Sequence, residues 1–230
     1  MNPTSWHPRG PVRAVLFDLD GTLADTAPDL AGAVNRMRER RGLAALPLEL
    51  LRPVASHGAR GLLRAGLGVR TDHPQYEALK NEFLDEYERA LAVHTRLFHG
   101  AEVLLAALEA AGIAWGVVTN KVMRFAGPVI DGLGLGARAG VVIAGDTTPH
   151  AKPHPAPLLE ACRRLRIAPA QALYVGDDLR DVQAARAAGM PAIAARYGYL
   201  GDGEPIEAWG ADALIDRLED LVTLLQLKPS

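Results

Sequence analysis

The chain has 230 residues, room for one large domain or for a core with a smaller companion. Hydrophobic residues make up 49%, charged residues 23%, and the net charge is −2, a balance that argues against a nucleic-acid or anionic-membrane partner and points to a small one. The single cysteine, Cys162, excludes an internal disulfide and fits a reducing, cytoplasmic compartment.

The opening MNPTSWHPRGP carries no apolar core of signal-peptide length and reads as a loose lead-in. From there short apolar, strand-forming runs alternate with helical patterns, the signature of a parallel sheet covered on both faces by helices. Strands are expected near Arg13 to Phe17, Ala114 to Thr119, Gly140 to Ala144, Ala172 to Val175, Ala192 to Ala194 and Ala213 to Ile215. Helices fill the intervals over Gly100 to Ala111, Met123 to Leu133, Pro155 to Leu165, Leu179 to Ala188 and Leu218 to Gln226. Cys162 shares one helical face with Leu158, Leu159 and Leu165 and reads as a packed core thiol; Trp115, inside a strand, also reads as core.

Between the first and second strands the pattern turns wholly helical, over Pro28 to Arg41, Leu48 to Val54, Ala59 to Ala65 and Pro74 to Val93. The expected fold is therefore a doubly wound, Rossmann-like α/β core, residues 1–25 and 96–230, carrying an inserted all-helical domain, residues 26–95. The connections at Ala24 to Ala27 and His94 to Gly100 allow hinge motion between the two.

Ligands of open α/β sheets gather at the carboxyl ends of the strands. There the first strand delivers Asp18 and Asp20, the second Thr119 and Asn120, and the fourth Asp177 and Asp178, with Asp181 a turn later; Lys152 follows the third, in AKPHP. Any one of these could be turn or cap chemistry. Together they are a neighbourhood of carboxylates with one lysine, and like charges 4 Å apart repel by about 4 kcal/mol at an effective dielectric near 20. A hard divalent cation such as Mg2+ resolves the excess, because every donor is oxygen. Metal, lysine, hydroxyl and nearby backbone amides suit a phosphoryl group, and two close carboxylates can divide the work into nucleophile and proton carrier.

DLDGT at Asp18 to Thr22, VVTN ending in Asn120, Lys152 in AKPHP and GDDLRD at Gly176 to Asp181 resemble, in order, the four motifs of the haloacid dehalogenase superfamily of phosphatases. The resemblance spans almost the whole chain, the helical insert looking like a C1-type cap. It implies that Asp18 forms an aspartyl-phosphate, that Asp20 protonates the leaving oxygen and then activates water, and that Thr119 and Lys152 hold the phosphoryl oxygens. It also implies Mg2+ on Asp18, the Asp20 carbonyl and Asp177, with Asp178 and Asp181 orienting metal-bound water or Lys152. DLDGTLADTAPDL, TNK at Thr119 to Lys121, and RYGY before WGAD are similar to the phosphoglycolate phosphatase group, and VHTRLFHG and WGVVTNKVMRFA to its N-acetylmuramic acid 6-phosphate phosphatase branch. A small phosphorylated metabolite is then the expected substrate.

Specificity would lie in cap contacts. His57 and Arg60, in ASHGARGLL, are the candidates there, and Asn120 is a third substrate contact. Lys121 and Arg124 read as solvated surface charge, and Asp25, Thr26 and Asp29 as entry chemistry for the first cap helix. A phosphomutase on the same scaffold stays open. A phosphate-receiver signalling module also combines an acidic cluster with Thr and Lys, but its acidic pair comes first, whereas GDD comes last here.

Overall fold

The computed structural model describes residues 6–8, 10–201 and 203–227; residues 1–5 and 9 of the expected lead-in lie outside the described residues. In chain order the elements are β1 (Ala14–Phe17), β2 (Ala24–Asp25), α1 (Ala27–Glu39), α2 (Leu48–Leu51), α3 (Gly58–Leu67), α4 (Tyr76–Glu88), β3 (Arg96–Leu97) and α5 (Ala101–Ala110). There follow β4 (Ala114–Val118), α6 (Met123–Gly132), β5 (Val141–Ile143), α7 (Ala156–Leu165), β6 (Ala172–Gly176), α8 (Leu179–Ala187), β7 (Ala192–Ala195), β8 (Ala213–Ile215) and α9 (Asp220–Leu224). Among the described residues, no helix is long and apolar enough to cross a membrane.

Six strands form one parallel sheet in the order β5-β4-β1-β6-β7-β8. Alternation along β1 sends Val15 and Phe17 to one face, against leucines of α5 and α9, and Ala14 and Leu16 to the other, against α7 and α8. Both faces are covered, so the strands read as continuous apolar runs instead of alternating ones. Trp115 and Cys162 lie in these two cores as expected, and burial pushes the Cys162 thiol up to about 11, which removes it as a nucleophile at neutral pH. β1 sits where the strand order reverses, with β4 on one side and β6 on the other. Such a switch point opens a crevice at the strands' carboxyl ends.

The helices between β2 and β3 enclose their own apolar cluster, built from Leu30, Val34 and Met37 of α1, Leu62 and Leu63 of α3, and Phe83 and Tyr87 of α4. Phe125 and Tyr199 join it from outside the insert. The expected helix over Leu48 to Val54 divides: α2 stops at Leu51 and a 3-10 turn, Arg52–His57, continues, because Pro53 cannot donate to the α-helical ladder. The expected Pro74 to Val93 helix is shorter at both ends. The two connections pair with each other as an antiparallel ribbon, Ala24 opposite Leu97 and Asp25 opposite Arg96, a feature too short to show as sequence periodicity.

Candidate active site

Asp18 follows directly on β1 and keeps its register, its N–H donating to the Val175 carbonyl at 2.9 Å; Thr119 extends β4 in the same way toward Ile143. Beyond Asp18 the chain turns tightly, Gly21 N–H donating to Ala24 O at 3.0 Å, with Gly21 at φ +88°. A Cβ at Gly21 would stand 2.1 Å from Asp177 Oδ2, so both backbone conformation and space require glycine there.

Asp18, Asp177 and Asp181 are all buried and offer carboxylate oxygens within 4.8 Å of one another. At that separation each ionised pair repels by about 3 kcal/mol for an effective dielectric near 20. Lys152, also buried, is the counter-charge: its ammonium lies 3.0 Å from Asp18 Oδ1 and 2.7 Å from Asp181 Oδ1, and donates to Tyr174 OH at 2.7 Å. Burial works against the charge on Lys152, but the two carboxylates overcome it and hold the ammonium above its ordinary range. Asp177 is raised well above the usual carboxylate range, by burial and then by Asp18 and Asp181, although it accepts from Thr22 Oγ1 at 2.7 Å and Tyr199 N–H at 2.7 Å. Asp181 is pushed up to about 6, mainly by burial, against the pull of Lys152. One lysine leaves net negative charge, and Asp18 Oδ1 is buried without a hydrogen bond despite its nearness to the ammonium. An all-oxygen donor set of three buried carboxylates with one ammonium as counter-charge fits a hard divalent cation.

Asp20 has different partners, accepting from Thr26 Oγ1 and from Lys121 Nζ at 2.7 Å. Lys121 corrects the expectation of a solvated charge: its side chain is 8% exposed and its ammonium lies 4.8 Å from the centre of the Tyr87 ring. Burial opposes its charge, but Asp20 more than compensates. Arg124 does lie at the surface, with Nε donating to Glu88 of α4 at 2.7 Å.

Asn120, expected to bind substrate, lines the cavity and also clasps the Lys152 backbone: Nδ2 donates to Lys152 O and Oδ1 accepts Lys152 N–H, both at 2.9 Å. It sets where the ammonium stands. Asp178 caps α8 by accepting Arg180 N–H at 2.9 Å and pairs with the Arg180 guanidinium at 2.7 Å, which lowers its pKa despite burial. Arg180 also donates to Ser56 O at 3.0 Å, and Ser56 Oγ donates to Asp177 Oδ2 at 3.2 Å, so the 3-10 turn of the insert touches the acidic site directly.

A cavity of about 310 Å3 lies between sheet edge and insert, walled by Asp18, Asp20, Thr119 and Lys152 below and by Leu30, Phe83, Leu84 and Tyr87 above. His57 lines it, with Nε2 3.9 Å from Asp178 Oδ2. Arg60 does not; it faces a separate groove with Arg64 and Arg70 on the insert, because α3 begins at Gly58 and turns it away. Of the residues expected at helix entry, Thr26 is the N-cap residue of α1 and Asp29 lies in its first turn, and Asp25 and Asp29 also fasten neighbouring segments. Thr26 makes no cap bond, Asp25 pairs with Arg52 at 2.6 Å, and Asp29 accepts from His94 N–H and Thr95 N–H, each at 2.9 Å.

Parallel sheet, switch point and carboxylate pair define a hydrolase core with a helical insert, and the family model for haloacid dehalogenase-like hydrolases matches residues 12–189. The chain belongs to that family. It is similar to a phosphoglycolate phosphatase of Xanthomonas campestris pv. campestris, 50% identical over 206 residues covering 89% of this chain and 92% of that one. It is also similar to an N-acetylmuramic acid 6-phosphate phosphatase of Pseudomonas aeruginosa, 44% identical over 214 residues covering 93% and 95%. A crystal structure of a predicted phosphoglycolate phosphatase from Haemophilus somnus 129PT superposes with a TM-score of 0.81 at 28% identity, covering 94% of this chain and 99% of that one. The chain is accordingly a phosphatase of this family.

Sequence reasoning passed over Thr22, although it stands inside DLDGT, and Arg180, although it stands inside GDDLRD. Tyr87 carried no signal beyond helical periodicity.

Proposed function

We propose that the protein hydrolyses the phosphate monoester of a small cytoplasmic metabolite through a phosphoryl group carried on Asp18. One observation bears most of the weight: Asp18 and Asp20 line the same cavity with separate counter-charges, Asp18 Oδ1 lying 3.0 Å from the Lys152 ammonium and Asp20 Oδ1 2.7 Å from the Lys121 ammonium. An Asp18 oxygen attacks phosphorus, the bond from phosphorus to the ester oxygen breaks, and Asp20 gives that oxygen a proton. Asp20 then takes a proton from water, which attacks phosphorus and releases inorganic phosphate, returning Asp18 as a carboxylate. Lys152 and Thr119 meet the phosphoryl oxygens, Asn120 and Asp181 hold Lys152 in place, and Thr22, Ser56 and the Tyr199 amide hold Asp177. Asp18, Asp177 and the Asp20 carbonyl would hold Mg2+, which supplies positive charge toward the phosphoryl oxygens as negative charge develops there. The oxygen-only donor set supports that ion.

Residues 26–95 act as a cap over core residues 1–25 and 96–230, with the β2-β3 ribbon as hinge. The relatives' names support two substrates, 2-phosphoglycolate and N-acetylmuramic acid 6-phosphate. Phosphate release from each, with Mg2+ and with EDTA, tests the reading. Turnover should require the metal, and Asp18→Asn should lower it by at least about a thousandfold without changing the circular dichroism spectrum. Unchanged turnover in Asp18→Asn would remove the proposal.

A further inference from the structure

Tyr87 carries a polar atom with no hydrogen-bond partner. The residue is 1% exposed, its hydroxyl has no partner at hydrogen-bonding distance although the Lys121 ammonium is close enough to act on it, and it stands in the cavity wall. The ring is held by Phe83, stacked at 6.4 Å, and by Phe125, tilted at 5.7 Å. Leaving a hydroxyl buried and unpaired is destabilising, a cost that a bound ligand removes. The Lys121 ammonium stands beside the ring at 4.8 Å and 2.7 Å from Asp20 Oδ1. The neighbouring cap wall, Leu30, Phe83 and Leu84, has no side-chain donor.

We propose that the Tyr87 hydroxyl and the Lys121 ammonium together bind a carboxylate carried by the leaving group, so that the substrate is the phosphate monoester of a hydroxy acid. This rests on the phosphatase reading, which puts the ester oxygen at Asp20 and therefore the rest of the leaving group beside Lys121. An O–H and an ammonium in an apolar surround complement an anion. A neutral sugar hydroxyl would gain less, since Lys121 can only donate. Lys121 serves Asp20 and the carboxylate with different N–H groups, so binding the substrate does not require the Asp20 pair to break.

The test uses two matched pairs of esters on the full chain with Mg2+: N-acetylmuramic acid 6-phosphate against N-acetylglucosamine 6-phosphate, and 2-phosphoglycolate against 2-hydroxyethyl phosphate. The members of each pair differ chiefly in the carboxylate. In at least one pair kcat/KM should favour the carboxylated ester by about tenfold or more, and Tyr87→Phe and Lys121→Met should each reduce that ratio at least about threefold, mainly through KM. Tyr87→Phe keeps the buried ring, and a ratio of two esters on one variant cancels any general loss of activity. A wild-type ratio near one in both pairs, or ratios unmoved in both variants, would overturn this inference and leave the phosphatase reading standing. No turnover of any of the four esters would overturn both.

Discussion

Replacing Lys152 by methionine keeps most of the side-chain volume and removes the ammonium that separates Asp18 from Asp181. At 3.0 and 2.7 Å from the two carboxylates, the ammonium gains about 6 kcal/mol of Coulomb energy from each at an effective dielectric near 20, most of it offset by the desolvation of all three groups. Removing one partner of a buried ion pair leaves the others uncompensated, which costs about 3–5 kcal/mol. The assay is urea unfolding followed by circular dichroism, in EDTA, at pH 7.5 and pH 5. Lys152→Met should lose about 3–5 kcal/mol at pH 7.5, and the loss should shrink at pH 5, because Asp181, already raised to about 6 in the native protein, can take up a proton once the ammonium is gone. Mg2+ at pH 7.5 should restore part of the loss by replacing the missing positive charge. A loss below about 1 kcal/mol, or one equal at both pH values, would refute the view that Lys152 is the counter-charge of this cluster.

The same linkage predicts how the metal-free native protein responds to pH. Asp181 has a folded pKa of about 6 against an unfolded value near 4, so the folded state holds the extra proton between them, and stability should rise by about 2 kcal/mol as pH falls from 7 to about 4.5. Below that, Glu82, lowered to about 2 by Arg41, loses its contribution and stability should turn down; saturating Mg2+ should flatten the gain, and thermal melts across pH with and without EDTA check it. Gly21→Ala should destabilise by about 1–3 kcal/mol, since φ of +88° and a Cβ 2.1 Å from Asp177 Oδ2 both oppose it. Because the displaced atom is the Asp177 carboxylate, the Mg2+ concentration for half-maximal turnover should rise as well, and an unchanged requirement would count against Asp177 as a ligand.

Strand ends were legible in the sequence because each is a local event. VLF gives way to DLD, VV to TN and YV to GDD, and a parallel sheet carries all such endings to one edge whatever the side chains do next. The insert was legible for a similar reason, since helical periodicity over residues 28–93 needs no knowledge of what it packs against. Exact pairings were not legible. Lys121 follows Thr119 and Asn120 in a loop where charge is usually solvated, and only the approach of α4 buries it between Asp20 and Tyr87. That Asn120 also clasps Lys152 was not legible, because a pairing of residues 32 positions apart has no sequence period. Arg60 was misplaced by the same limit: the sequence put it in a glycine-flanked turn, and the position where α3 begins decides which way it faces.

The sequence by itself therefore determined the architecture, the order of the polar strand ends and the chemistry their residue types can perform. Hydrophobic period and turn chemistry are properties of contiguous residues. Only the tertiary structure decided which carboxylates share Lys152, which one faces Lys121, and which cap side chains stand over them. Those choices depend on distances of a few ångströms between segments far apart in the chain, where burial sets the strength of every charge.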